Sequence, residues 1–240
     1  MANTTYQLPV WETITTAWQK VHGSKSVFWG AFGLMFAIVI GLGIAKKIIQ
    51  TLIPIPGIDT LMKFFLQAIA YLLQIGMLYI GIKRAADLLI EYRQIFRPFQ
   101  ANIIIQIFLL YILQILIYLP MVLLLLSIGM IFTLLSTIGL GFLSILFFIL
   151  AGLLIVYISI RIVLAPAFIL DQSQNAWGAI KHSFYATRKN FWQLFAIYLI
   201  EFIIITISAI PFGIGLIWSL PFSLICYGLI YKNLQVNVSQ

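Results

Sequence analysis

Charge is scarce in this sequence. Its 240 residues carry 14 Lys plus Arg and 6 Asp plus Glu, 8% of the chain, where a soluble domain carries about 25%. With a mean hydropathy of +1.10, too few polar groups exist to cover a water-soluble globule. This excludes a soluble enzyme, a disordered segment and a secreted scaffold. Cysteine is scarcer still. Cys226 stands alone, which allows no internal disulfide and no cysteine-based metal site. His22 and His182 lie far apart, with no carboxylate cluster at ligand spacing, so neither a metal nor a cofactor is expected. Walker A, H-E-x-x-H and dinucleotide-binding motifs are missing as well.

Long apolar runs fill the space that charge leaves. A helix needs about 20 apolar residues to cross the hydrocarbon. Such runs occur at about 27–45, closed by Lys46 and Lys47, and about 61–82, closed by Lys83 and Arg84. The segment Ile53-Pro54-Ile55-Pro56-Gly57 between them breaks the helix. The stretch before residue 27 is long and patterned, unlike a cleaved signal peptide. From Ala101 to Leu170 the one charge is Arg161. Two spans fit here, at about 103–125 and 142–163, with Pro120 expected to kink the first. Ser127 to Gly141 is then a helix extension or a hairpin, or else part of an extra span. The last two spans are read at about 191–210 and 214–231, with Pro211 between them and Pro221 inside the second.

Charge placement favours six spans over seven. With six, both termini share one side, and 11 of the 14 basic residues fall there; Lys46, Lys47 and Lys63 fall on the other. By the positive-inside rule that side is cytoplasmic. Five of the six Trp (Trp11, Trp18, Trp29, Trp177, Trp192) lie near the same interface, where an indole buries its ring and keeps its N–H wet.

Each odd-numbered span follows a basic segment with helical periodicity. Val10, Trp11, Ile14, Ala17, Trp18 and Val21 share one helix face. Residues 83–96 and 176–189 show comparable patterns, the latter with Asp171 or Ser173 as expected caps. These segments are too short and polar to span, so they should lie in the headgroup plane. The expected fold is thus all-α: a polytopic bundle of six transmembrane helices with three amphipathic interfacial helices. It forms a single integral membrane domain over 1–240, with 1–26 as a cytoplasmic amphipathic part. A three-fold repeat of surface helix plus two-span hairpin would divide it at about 9–82, 83–164 and 174–232.

Arg161-Ile162-Val163-Leu164-Ala165-Pro166-Ala167-Phe168-Ile169-Leu170-Asp171 resembles the R/L-x-x-x-A-P-x-x-x-x-D segment of the YciC-like family of bacterial multispan proteins. That family is similar to the membrane domain fused to some glycerophosphodiester phosphodiesterases. Ala179, Ser183, Thr187 and Asn190 fit the pattern A-x-x-x-S-x-x-x-T-x-x-N, followed by Phe191-Trp192. The match covers about 160–234, roughly a third of the chain; the rest agrees in span order. The resemblance implies a bacterial inner-membrane location. It carries over no phosphodiesterase activity, since no such domain lies in these residues.

Glu201 is the sharpest candidate site residue. It falls about ten residues into the fifth span, roughly 15 Å deep at 1.5 Å per residue, where a carboxylate needs pairing, neutralisation or hydration. Arg161 is its natural partner. Polar stripes mark the second span (Lys63, Gln67, Tyr71, Gln74) and the third (Gln106, Tyr111, Gln114, Tyr118). They fit a hydrated path or a lipid-headgroup groove, or else hydrogen bonds between neighbouring helices. Gly33, Ala37, Gly41 and Ala45 form a small-residue seam for close packing within the chain or with a second copy or partner protein. His182, Ser183 and Asp171 are the residue types of a hydrolytic triad, but neighbours on a helix point about 100° apart. Cys226 reads as an inert apolar residue.

The basic segments set the topology and offer an anionic-headgroup surface through Lys20, Lys25, Arg93, Arg97, Arg188 and Lys189. Nucleic acid is not an expected partner, because bilayer lipid already faces these side chains. The leading expectation is a non-enzymatic inner-membrane protein that contacts lipid or organises the envelope. The alternative is a small transporter or lipid-translocating protein using Glu201 and the polar stripes. That alternative needs Glu201, Arg161, Gln74 and Gln114 to converge on one wet cavity.

Overall fold

A computed structural model describes residues 7–52, 57–136, 142–210 and 212–237. Among the described residues the regular structure is helical throughout. In chain order the elements are α1 (Val10–Val21), α2 (Lys25–Leu52), α3 (Ile58–Ala85), a 3-10 helix (Tyr92–Phe99), α4 (Ala101–Ser136), α5 (Phe142–Ile162), α6 (Ala165–Gln172), α7 (Ala176–Thr187), α8 (Phe191–Ala209) and α9 (Leu216–Leu234).

Among the described residues, five stretches are long and apolar enough to cross a membrane: α2, α3, Ala101–Phe132 of α4, Ile145–Gln172 and α8. They mark an integral membrane protein. α9 is 19 residues long, but Ser219, Pro221, Ser223, Tyr227, Lys232 and Asn233 dilute its apolar character. α4 runs unbroken through Pro120 to Ser136. Ser127 to Ser136 is therefore a helix extension, and residues 137–141 lie outside the described ones. Residues 53–56 and Pro211 also lie outside them.

The second amphipathic segment corrects the sequence expectation. α3 continues to Ala85, Asp87 reverses the chain at φ +58°, and residues 92–99 form a 3-10 helix rather than an α-helix. Pro98 cannot serve an α-helical ladder, and tertiary packing decides the rest. Ile95 and Pro98 are buried, and the Ile95 backbone lies so close to Gly76 that any Cβ on Gly76 would overlap it. The third segment forms α7, as its periodicity requires. Its cap is Asn175, whose Oδ1 accepts from Gly178 N–H at 2.7 Å. Ser173 instead ends α6 at φ +52°, and Asp171 accepts from the Tyr231 hydroxyl at 2.9 Å.

The core is concentrated at one end of the bundle. There α3 and α9 lie backbone to backbone: a Cβ on Gly81 would overlap the Leu224 carbonyl, and one on Gly228 would come within 2.5 Å of the Gly81 oxygen. Only glycine permits this approach. α1 buries Ile14, Ala17 and Val21, and its Trp18 packs edge-on against Phe222 of α9 at 5.5 Å. α1 and α3 also cap each other. Lys20 Nζ donates to the Ala85 carbonyl at 3.0 Å and pairs with Asp87 at 2.5 Å. Arg84 donates to the carbonyls of Lys20 and His22, both at 2.9 Å. The Lys20 ammonium holds the Asp87 carboxyl below the usual carboxylate range.

The other end is thin. Phe36, Ile40, Ile44 and Ile48 of α2, Leu123 and Leu126 of α4, and Leu146 to Leu150 of α5 are exposed. In water such a surface would aggregate. In hydrocarbon it carries no penalty.

Candidate functional site

Pro166 dictates the local structure around Arg161. It has no N–H to bond the Ile162 carbonyl, and it stands in the first turn of α6. The helix therefore breaks between α5 and α6. A break inside a membrane protein leaves backbone groups that must find partners. The Ser183 hydroxyl supplies two of them, donating to the Arg161 carbonyl at 2.7 Å and accepting from Leu164 N–H at 3.1 Å. The Tyr227 hydroxyl donates to the Val163 carbonyl at 3.0 Å. Thr187 Oγ1 accepts from Arg161 Nη1 at 3.2 Å and donates to the Ser183 carbonyl at 2.8 Å. Asn190 Oδ1 accepts from Leu8 N–H at 2.8 Å. Ser183, Thr187 and Asn190 are fully buried, and together they staple α7 to the break and to the segment before α1.

Arg161 itself is 8% exposed. Its guanidinium lies between the rings of Tyr157 at 5.6 Å and Phe184 at 5.5 Å, a favourable cation–π arrangement. It borders a groove between α4, α5 and α7 of about 530 Å³. Ile117, Ile158, Ile180 and Phe184 supply apolar walls, and Lys181, Arg188 and Trp177 line the α7 side. Lys181 Nζ stands 5.4 Å over Trp177. Phe184 belongs to the apolar face that the periodicity of 176–189 marks, whereas Tyr157 escapes the sequence reading, although it stands one helical turn before Arg161.

Glu201 does not meet Arg161. Among the described residues the ion pairs are Lys20–Asp87, Lys46–Asp59 and Lys63–Asp59. Glu201 is 5% exposed. Its Oε2 accepts from Ser223 Oγ at 3.2 Å, and its Oε1 has no hydrogen-bond partner. Ser223 precedes Leu224, which abuts Gly81 four residues from the end of α3. Glu201 thus lies level with the last turns of α3, near the packed end of the bundle.

The polar stripes split among different tasks. Gln67, Tyr71, Gln74 and Tyr111 line a hollow of about 190 Å³ between α3 and α4, with the tyrosine rings 5.2 Å apart. Lys63 turns to Asp59. Gln106 Oε1 accepts from Ala176 N–H at 2.9 Å and so starts α7. Tyr118 bonds Ser159 at 2.8 Å, and Gln114 is half-buried on α4. Glu201, Arg161 and Gln74 therefore sit in three separate places.

The basic residues also divide. Lys20 is engaged inside the chain. Lys25 stands 4.7 Å over Trp218, Arg97 stands 5.5 Å over Tyr79, and Arg93 lies against Tyr92 at 5.9 Å. Arg188 and Lys189 are exposed on α7's end. The seam residues Gly33, Ala37, Gly41 and Ala45 are all exposed, with open space beside Gly33 and Gly41, so they form no packing seam among the described residues. The triad residue types are not assembled: Ser183 serves the helix break, Asp171 binds Tyr231, and the His182 ring packs on Phe168 at 5.6 Å. No family model, curated protein or solved structure matches this chain.

Proposed function

We propose that this chain is a non-enzymatic bacterial inner-membrane protein of the YciC-like type that contacts anionic phospholipid through one basic, aromatic-rich face. Six membrane-inserted helices and both termini on the cytoplasmic side belong to this reading. The observation that carries it is the unequal pairing of charge at the two ends. Where the end of α2 meets the start of α3, Asp59 gathers both Lys46 and Lys63. At the other end Lys25, Lys83, Arg97, Arg161 and Lys181 rest on aromatic rings rather than carboxylates. Cations held over rings at a membrane surface keep their charge available to lipid phosphate. The transporter alternative needs Glu201, Arg161 and Gln74 to converge, and among the described residues they have separate surroundings.

The test is thermal unfolding of the purified protein in phosphatidylglycerol and in phosphatidylcholine nanodiscs. A ligand present well above its Kd stabilises by a few kcal/mol, so the midpoint in phosphatidylglycerol should be higher by about 5 °C. High salt should shrink the difference. Equal midpoints at low salt would contradict the reading.

A further inference from the structure

Resting on this lipid-contact reading, we propose that the α4–α5–α7 groove is a binding site for one anionic phospholipid. Its phosphate is held by Arg161, Lys181 and Arg188, and its acyl chains lie against Ile117 and Ile158. Arg161 is 8% exposed and forms none of the ion pairs found among the described residues. A buried guanidinium without a counter-ion is costly, so an anion from outside the chain completes it. Tyr157 and Phe184 cover its faces and Thr187 takes one N–H, while its Nε–H lacks an acceptor. Two exposed cations, Lys181 and Arg188, border the same groove. Its size of about 530 Å³ falls among ordinary ligand sites. The groove is amphiphilic in the order a phospholipid needs. Cations and Trp177 line the α7 side, and the α4 and α5 walls are isoleucines continuous with helices whose outer surfaces are apolar and exposed. A free phosphate would satisfy the cations and leave the isoleucine wall unused. An acyl chain without a phosphate would leave Arg161 uncompensated.

Lipids with brominated chains test this by quenching Trp177, whose signal is the difference between the wild type and Trp177→Phe. Brominated phosphatidylglycerol should quench that signal at a mole fraction about fivefold to tenfold below brominated phosphatidylcholine. Arg161→Gln should remove most of the preference. Lys181→Gln, at an exposed side chain that cannot unfold the core, should weaken it too, and Lys47→Gln at the other end should leave it intact. Equal quenching by both lipids overturns the site. So does displacement by inorganic phosphate or glycerol phosphate in solution, which would make it a free-phosphate site. A preference unchanged in both Arg161→Gln and Lys181→Gln overturns it as well. Stabilisation by phosphatidylglycerol nanodiscs would then show that the broader reading survives, and its absence that both fail.

An independent observation concerns depth. From the geometry we infer that α8 and α9 form a hairpin inserted from the packed end that turns within the hydrocarbon. α3 and α9 run parallel: Gly81 meets Leu224 and Gly228, Ala85 meets Gly228, and Lys232 acts on Asp87 beyond the end of α3. From Gly81 back to Ile58, α3 extends about 34 Å, whereas α9 extends about 12–18 Å back to Leu216. Its first turn accordingly meets the first turns of α2, through Lys25 over Trp218 and Trp29 Nε1 donating to the Ile217 carbonyl at 3.2 Å. The turn carries Ile210, Phe212 and Ile214, all exposed, and residues 202–231 hold no charge. The α2–α3 end instead bears Lys46, Lys47, Asp59 and Lys63. An exposed, uncharged, apolar turn that stops short of the charged outer end fits lipid rather than water. Spin labels on Phe212→Cys and Thr51→Cys in vesicles decide it by their collision with oxygen and with a water-soluble nickel complex. The Phe212 label should favour oxygen strongly, and the Thr51 label should favour nickel. A Phe212 label as open to nickel as the Thr51 label overturns the hairpin.

Discussion

Replacing Gly81 by leucine should abolish the folded protein. Even a Cβ at this position overlaps the Leu224 carbonyl, and the facing Gly228 leaves no slack, since its own Cβ would fall 2.8 Å from that of Ala85. A flexible side chain could move aside, but backbone on both sides cannot. Overpacking a core costs about 1–3 kcal/mol when side chains can shift, and here the α3–α9 axis would have to part. The expected result is loss of the monodisperse peak in detergent gel filtration for Gly81→Leu, and a loss of about 3 kcal/mol or more for Gly228→Ala. Gly41→Leu, which points into open space, should leave the peak unchanged. The three variants together separate a structural glycine contact from a general intolerance of bulk in these helices.

The second large effect falls on Glu201. Its carboxyl is buried beside Ser223, Tyr198 and Cys226, with no cation paired to it. Glu201→Gln keeps the shape and a hydrogen-bonding oxygen, so it should change stability by about 1 kcal/mol or less. Glu201→Lys places an uncompensated cation in the same space and should lose about 3–5 kcal/mol. Thermal unfolding in neutral lipid measures both. If glutamine proves as damaging as lysine, the carboxylate charge itself is needed, and the ion-coupled alternative regains support.

The long helices were legible because their information is local. Apolar runs of about span length, closed by Lys46–Lys47 or Lys83–Arg84 and interrupted by no charge but Lys63, announce α2 and α3 without any tertiary knowledge. The 3-10 helix was not legible. Residues 83–96 carry a helical pattern, and what overrides it is the accident that Gly76 admits the Ile95 backbone. The staple was half legible. Ser183, Thr187 and Asn190 stand out at helical spacing, but their partners lie elsewhere in the chain: Ser183 serves backbone at the α5–α6 break, Thr187 holds the Arg161 side chain, and Asn190 holds Leu8 N–H. The pairing of Glu201 with Arg161 failed for a related reason. Tertiary packing sets Glu201 against Ser223 of α9 and Arg161 against Tyr157, Phe184 and Thr187, and a pattern read along single spans does not carry that information.

That one charged, ring-rich end faces the cytoplasm while the Asp59 cluster faces outward is the central claim. The most direct test is labelling of single cysteines in intact cells with an impermeant maleimide, since the wholly buried Cys226 gives little background. The account predicts that Lys47→Cys is labelled from outside, while Trp11→Cys, Lys189→Cys and Lys232→Cys are labelled only after permeabilisation. Labelling of any of those three in intact cells, or protection of Lys47→Cys, would contradict it.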